Sequence, residues 1–154
     1  MALVRQFHPQ PEVLASALLH DVLEDTSVTR EKMEDALSKV MSPAQVQTTI
    51  QLVVDLTDIF IKKNYPRLDR RSRKDREAAR LSSVAPEAQS IKYADIIDNV
   101  TDIMREDTNF AKVYVREAKK MLVEMKAGHP VLRERAMTLV DKCLRELPKP
   151  AASY

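Results

Sequence analysis

Glycine occurs once in this chain, at Gly128, and cysteine once, at Cys143. A single glycine excludes glycine-rich phosphate loops and dinucleotide fingerprints, which need several. It also argues against many tight hairpins and for helices joined at proline-marked breaks. A lone cysteine cannot close an internal disulfide, which suits a reducing cytosol. Cys143 falls in a helical pattern and reads as a packed or surface thiol rather than a nucleophile. No apolar run reaches the ~18 residues of a membrane span. The N-terminus also lacks the basic segment, apolar core and small-residue cleavage site of a secretory leader. A cytoplasmic protein with no membrane partner is expected. Neither sign of charge dominates, with 25 Lys and Arg against 23 Asp and Glu. That balance makes no case for nucleic acid as a partner.

What is present suits one ordinary domain. The chain has 154 residues, 44% of them apolar and 31% charged, and a domain of this size buries roughly 68–70% of its unfolded surface. No segment alternates polar and apolar over a useful length, so strands are not expected. The fold expected is all-α, a bundle of about six to seven helices, with one domain over 1–147 and a loose tail over 148–154.

The breaks give the helices. Met1 to Phe7 reads as the last turns of a helix, and His8-Pro9-Gln10-Pro11 as a break. Pro11 then opens a helix that runs to Glu24. Thr29 to Met41 forms the next, with Met33, Ala36, Leu37 and Val40 inward. Ser42-Pro43 caps a third, which continues to Asp58 with Val46, Ile50, Val53, Val54 and Thr57 inward. Asn64-Tyr65-Pro66 breaks the chain again. Helices follow over 69–83, from Pro86 to Arg105, from Asp107-Thr108 to Ala127, and from Pro130 to Leu147. Gly128 is the expected C-cap of the second-last.

Two stretches carry chemistry. In Ala17-Leu18-Leu19-His20-Asp21-Val22-Leu23-Glu24-Asp25-Thr26, four titratable side chains follow an apolar lead-in. Glu24 and Asp25 each lie one helical turn beyond His20 and Asp21. A helix ending in His-Asp can offer a nitrogen and an oxygen to one metal; the plainer reading is a set of exposed acids at a helix end. In Ile91-Lys92-Tyr93-Ala94-Asp95-Ile96-Ile97-Asp98-Asn99-Val100, Asp95 and Asn99 again stand at i and i+4. "HDVLEDT" with a downstream "KYADIIDN" resembles the HD superfamily of metal-dependent phosphohydrolases. Within it, the closer resemblance is to the hydrolase domain of the RelA/SpoT alarmone enzymes and their small single-domain relatives, over residues 10 to 105.

The resemblance implies an HD-domain-like helical bundle. It implies that His20, Asp21 and Asp95 ligate a divalent metal, most often Mn2+, and that Glu24 and Asp25 are the catalytic pair that accepts a proton from, or positions, the attacking water. Asn99 has no charge and suits substrate contact. The substrate implied is a guanosine tetra- or pentaphosphate, (p)ppGpp, hydrolysed at its 3′-diphosphate.

The basic run from Arg67 to Arg80, seven cations against three acids, could gather such a substrate. Its plainer reading is a solvated helix with internal pairs such as Asp69 with Arg73. Two departures from the family stand out. A further metal-binding His of the family falls, by counting back from His20, before Met1; His8 and His129 read as loop residues rather than replacements. Thr101 stands where alarmone hydrolases often carry Arg. Weak metal binding and a partly open face of Val13, Leu14, Ala17 and Leu18, with a possible homodimer covering it, are therefore expected. A competing expectation is a non-catalytic HD module that binds a nucleotide or a protein partner.

Overall fold

Proline opens four of the helices, at Pro11, Pro43, Pro86 and Pro130. At that position its missing N–H leaves no hydrogen bond unmade. The computed structural model describes residues 2–147, and the tail expected over 148–154 lies outside them. The elements are α1 (Ala2–Arg5), α2 (Pro11–Leu19), α3 (Val22–Asp25), α4 (Arg30–Leu37), α5 (Pro43–Leu56), α6 (Arg70–Leu81), α7 (Pro86–Glu106), α8 (Thr108–Glu124) and α9 (Pro130–Glu146). No strand occurs among the described residues, and no helix among them is long and apolar enough to cross a membrane. The all-α expectation holds.

Side-chain caps fix several starts. Thr29 accepts from Lys32 N–H at α4, Asp69 from Ser72 N–H at α6, and Asp107 from Asn109 and Phe110 N–H at α8. Ser42 and Gln45 form a reciprocal capping box at α5, and such caps contribute about 1 kcal/mol each.

Helix α7 is the central element and packs against α1, α2, α5, α8 and α9. Its Ile91, Tyr93, Ile96 and Val100 are fully buried, each contributing roughly 1.5–3 kcal/mol by leaving water. A second, smaller apolar cluster of Met33, Val46, Ile50 and Val53 gathers Leu19, Val22 and Leu23 around it. Val13 belongs to the first cluster and Leu19 packs on the second, so α2 passes from one to the other just before His20. Buried Ser16 and Thr49 mark the crossing of α2 and α5, where Ser16 Oγ donates to Glu12 O at 2.6 Å and Thr49 O at 3.3 Å.

Several expectations are corrected. The helix expected from Pro11 to Glu24 is two helices, interrupted at His20-Asp21. Helix α4 stops at Leu37, four residues early: the amides of Lys39 and Val40 bond three residues back, to Ala36 O and Leu37 O, and the chain turns toward the Ser42 cap. Val40 thereby leaves the helical register and is 80% exposed, and Ala36 is exposed too. Gly128 is no left-handed cap: no glycine has positive φ, and α8 ends at Glu124. Its role is close approach, since a Cβ there would lie 2.5 Å from Tyr93 Cε2 and 2.9 Å from Ser90 N. Asp69 uses its carboxylate on its own helix cap while Arg73 donates to Leu68 O, so the expected Asp69–Arg73 pair does not form. On α2 Val13 is buried and Leu14 and Ala17 are half-buried, leaving Leu18 as the exposed member of the face expected to lie open.

Candidate metal centre

The interruption between α2 and α3 places His20 and Asp21 at a corner that faces the middle of α7. Leu19 on one side and Val22 and Leu23 on the other anchor that corner in the smaller apolar cluster. His20 Nδ1 lies 3.0 Å from Ala17 O. A carbonyl only accepts, so Nδ1 carries a hydrogen; a proton on Nε2 then faces the carboxylates, and its loss leaves Nε2 as the nitrogen open to a cation. Nε2 stands 3.0 Å from Asp21 Oδ2 and 3.3 Å from Asp95 Oδ1. It is buried and makes no aligned hydrogen bond; the two carboxylates approach it as charges.

Asp95 is the most engaged member. Its Oδ1 also accepts from Asn99 Nδ2 at 2.9 Å, and its Oδ2 pairs with Lys92 Nζ at 2.9 Å. Burial works against the Asp95 charge, but His20 and Lys92 outweigh it and hold the carboxyl far below its usual range. Burial likewise opposes the Lys92 charge, and Asp95 and Asp58 overcome it, so Lys92 stays protonated. His20 is raised above its ordinary value, first by Asp95 and against its own burial. Desolvation lifts Asp21, partly offset by His20.

Of the other residues expected here, Glu24 takes part through the backbone: Asp58 N–H donates to its Oε1. Desolvation raises Glu24, that amide opposes the shift, and the charges of Asp58 and Asp21 add to it. Asp25 is exposed, and among the described residues no side-chain hydrogen bond or ion pair ties it to the cluster. Thr101 bonds back to Ile97 O of its own helix at 2.7 Å, away from any arginine-like role. Neither His8 nor His129 reaches the centre; they meet each other, ring edge to ring face, 6.1 Å apart between centroids.

Sequence reasoning passed over Lys92, Asp58 and Tyr114. Lys92 stands one turn before Asp95 in the same motif, a spacing that signals an ion pair. Asp58 pairs with Lys74 Nζ at 2.9 Å. Tyr114 is raised chiefly by burial, with the charge of Asp95 adding to the shift.

A divalent cation is the group the sequence implies. The donor set suits one: a neutral imidazole with its second nitrogen held by a backbone carbonyl, and two carboxylates. The atoms are not yet disposed as a cage. Among the described residues no three His, Cys, Asp or Glu side chains stand around a common ion position, since Asp95 is divided among Asn99, Lys92 and His20. A cavity of about 700 Å3 lies elsewhere, lined by residues of α2, α4, α5 and the start of α7. A groove of about 440 Å3 between α6 and α8 carries Arg70, Arg71, Lys74, Arg116 and Lys120 beside Asp75 and Glu117, and Lys74 ties it to Asp58. Comparison with protein-family models, curated proteins and solved structures finds no match to this chain.

Proposed function

We propose that this chain is an HD-type, metal-dependent phosphohydrolase acting on a phosphorylated guanosine nucleotide, in the manner of a guanosine-3′,5′-bis(diphosphate) 3′-pyrophosphohydrolase. The observation that carries the reading is the convergence of the buried Nε2 of His20 with the carboxylates of Asp21 and Asp95, at 3.0 and 3.3 Å. His20, Asp21 and Asp95 would hold the cation, Mn2+ by the family resemblance, and it would supply Lewis-acid charge at the phosphate oxygens.

The chain's own residues supply the rest. Glu24, raised from its ordinary value by desolvation, accepts a proton from the attacking water, with Asp25 next to it in the chain. The water oxygen bonds to the phosphorus on the ribose 3′ oxygen and the bond between that phosphorus and O3′ breaks; pyrophosphate departs carrying the water oxygen, and O3′ takes the proton back from Glu24 to become the 3′ hydroxyl. Asn99 and Tyr114 offer neutral hydrogen-bonding groups to the nucleoside beside the cluster. The α6–α8 groove, with five cations against two acids, suits the remaining phosphates, although Arg70 is forked onto Glu117 and Lys120 pairs with Asp75. A cytoplasmic setting accords with such a substrate.

The second reading is a non-catalytic nucleotide-binding module of the same fold. The Lys92 ammonium favours it, because Lys92 already neutralises Asp95 at 2.9 Å. Purified protein with and without Mn2+ separates the two: release of pyrophosphate from (p)ppGpp supports the hydrolase, and nucleotide binding with no release at any metal concentration supports the module.

A further inference from the structure

The turn that leaves α5 is gripped from one side by α6. Glu77 is 1% exposed. Its Oε2 accepts from the backbone N–H of Ile59 at 3.1 Å and of Phe60 at 3.0 Å. Its Oε1 is held by the fork of Arg80, through Nε at 2.6 Å and through Nη2. Arg80 in turn donates to Asp55 O at 2.8 Å and Thr57 O at 3.2 Å. Lys74, one turn earlier on α6, takes the Asp58 carboxylate at 2.9 Å. Lys74, Glu77 and Arg80 are spaced at three-residue intervals and so share a face of the helix. Between the atoms they hold lies one free backbone donor, the N–H of Asp58, and it points into the carboxylate of Glu24.

A buried carboxylate is costly unless it is fully paired. Here the pairing joins no two helices of the core; every partner of Glu77 outside α6 lies in this turn. We propose that Glu77 is a positioning residue: with Arg80 it sets the turn from 57 to 60 so that the Asp58 amide fixes Glu24 against the His20–Asp21–Asp95 cluster. The inference rests on the reading of Glu24 as the proton acceptor. It adds the device that keeps that acceptor in place, where a misplacement of about 1 Å can cost ~100-fold in rate.

Glu77→Gln keeps the size of the side chain but removes the charge and turns an N–H2 toward Arg80 or toward the two amides. Val140→Ala, in the buried interior of α9, serves as a control that lowers stability without touching the turn. Three measurements are made on the full chain: melting temperature, exchange and proton chemical shift of the Asp58 amide across pH, and turnover with metal content. In the wild type the Asp58 amide is protected and its shift follows the protonation of Glu24. The expected result for Glu77→Gln is a folded protein in which that protection and pH response are lost. Its kcat is expected to fall ~10–100-fold relative to Val140→Ala, with metal content unchanged. An Asp58 amide that behaves alike in wild type and Glu77→Gln overturns the inference, as does an equal loss of kcat in the Val140→Ala control. If the wild type releases no pyrophosphate at all, the hydrolase reading fails on that result alone, and the amide measurement still decides whether Glu77 positions Glu24.

Discussion

The imidazole of His20 and the carboxylate of Asp95 meet at 3.3 Å, one from the corner after α2 and the other from the middle of α7. Nothing local brings them together; α2 reaches α7 because both bury apolar faces in the same core. The contact also fixes what His20 does without a cation. Its value is raised by Asp95, so the contact contributes stability fully below the unfolded value of ~6.5. That contribution fades as pH rises through the higher folded value. A cation must displace this proton. Mn2+ binding is therefore expected to strengthen from pH 6 to pH 8 and to release up to about one proton per ion. Calorimetry in buffers of different ionisation enthalpy reads that proton directly; pH-independent binding with none released would show that His20 is not a ligand.

Replacing the ligands and replacing the acids should give different defects. His20→Ala and Asp95→Asn are expected to weaken Mn2+ by more than the ~10–100-fold that loss of an outer-shell partner costs. Glu24→Gln should keep the metal and lose ~10²–10⁴-fold in turnover. Asp25→Asn should lose less, because Asp25 is exposed and unbonded while Glu24 is held by Asp58. Metal content and initial rates measured on the same samples make the comparison. Parallel loss of metal and rate in Glu24→Gln would make Glu24 a ligand.

Gly128→Ala places a methyl group 2.5 Å from Tyr93 Cε2 and 2.9 Å from Ser90 N. Tyr93 is fully buried and donates to Met125 O at 2.9 Å, so the ring has little freedom to retreat. Overpacking of this kind costs about 1–3 kcal/mol, which lowers the melting temperature by roughly 2–4 °C per kcal/mol in a domain of this size. Thermal unfolding of the single variant is sufficient, and an unchanged melting temperature would refute the close-approach account.

Acid should loosen the N-terminal segment first. His8 is lowered from its usual value by burial, with Glu87 opposing and His129 adding to the shift. Its Nε2 and His129 Nδ1 are buried without partners, and the Phe7 ring lies 4.5 Å from the His129 ring with the Arg135 guanidinium over it. A depressed histidine contributes stability above its unfolded value of ~6.5 that is lost as pH falls through the folded one. Between pH 7 and 5, tryptic cleavage at Arg5 is expected to accelerate in the wild type and much less in His8→Gln. Equal acceleration in both would remove His8 from the explanation.

The parts of this structure legible in the sequence are those set by short-range chemistry. Proline at a helix start and Ser42 and Asp107 as caps each act within one turn, and all stand where the sequence places them. The meeting of His20, Asp21 and Asp95 was legible only as a pair of motifs whose resemblance demanded it. Lys92 was readable in principle, as a cation one turn from Asp95, but its importance comes from burial, which spacing does not report. Asp58 could not be read at all, since its part is played by a backbone N–H whose direction is set by Glu77 and Arg80. Gly128 misled because glycine after a helix usually marks a left-handed turn; here the space taken by Tyr93 decides its identity. Val40 misled because a periodic apolar residue counts as inward only while the helix lasts.

The Lys92 ammonium has a consequence for the order of events in this protein's life. Asp21, Asp58 and Asp95 would repel one another if gathered alone, and a site of that kind often waits for its ion before the chain can fold. Lys92 against Asp95, Lys74 against Asp58 and the proton on His20 make the cluster close to neutral from within. If the centre holds a cation as proposed, the bundle is expected to assemble empty and take it up afterwards, so that chelation should strip the centre without melting the helices. Metal supply would then set how much of the protein is competent rather than how much of it is folded.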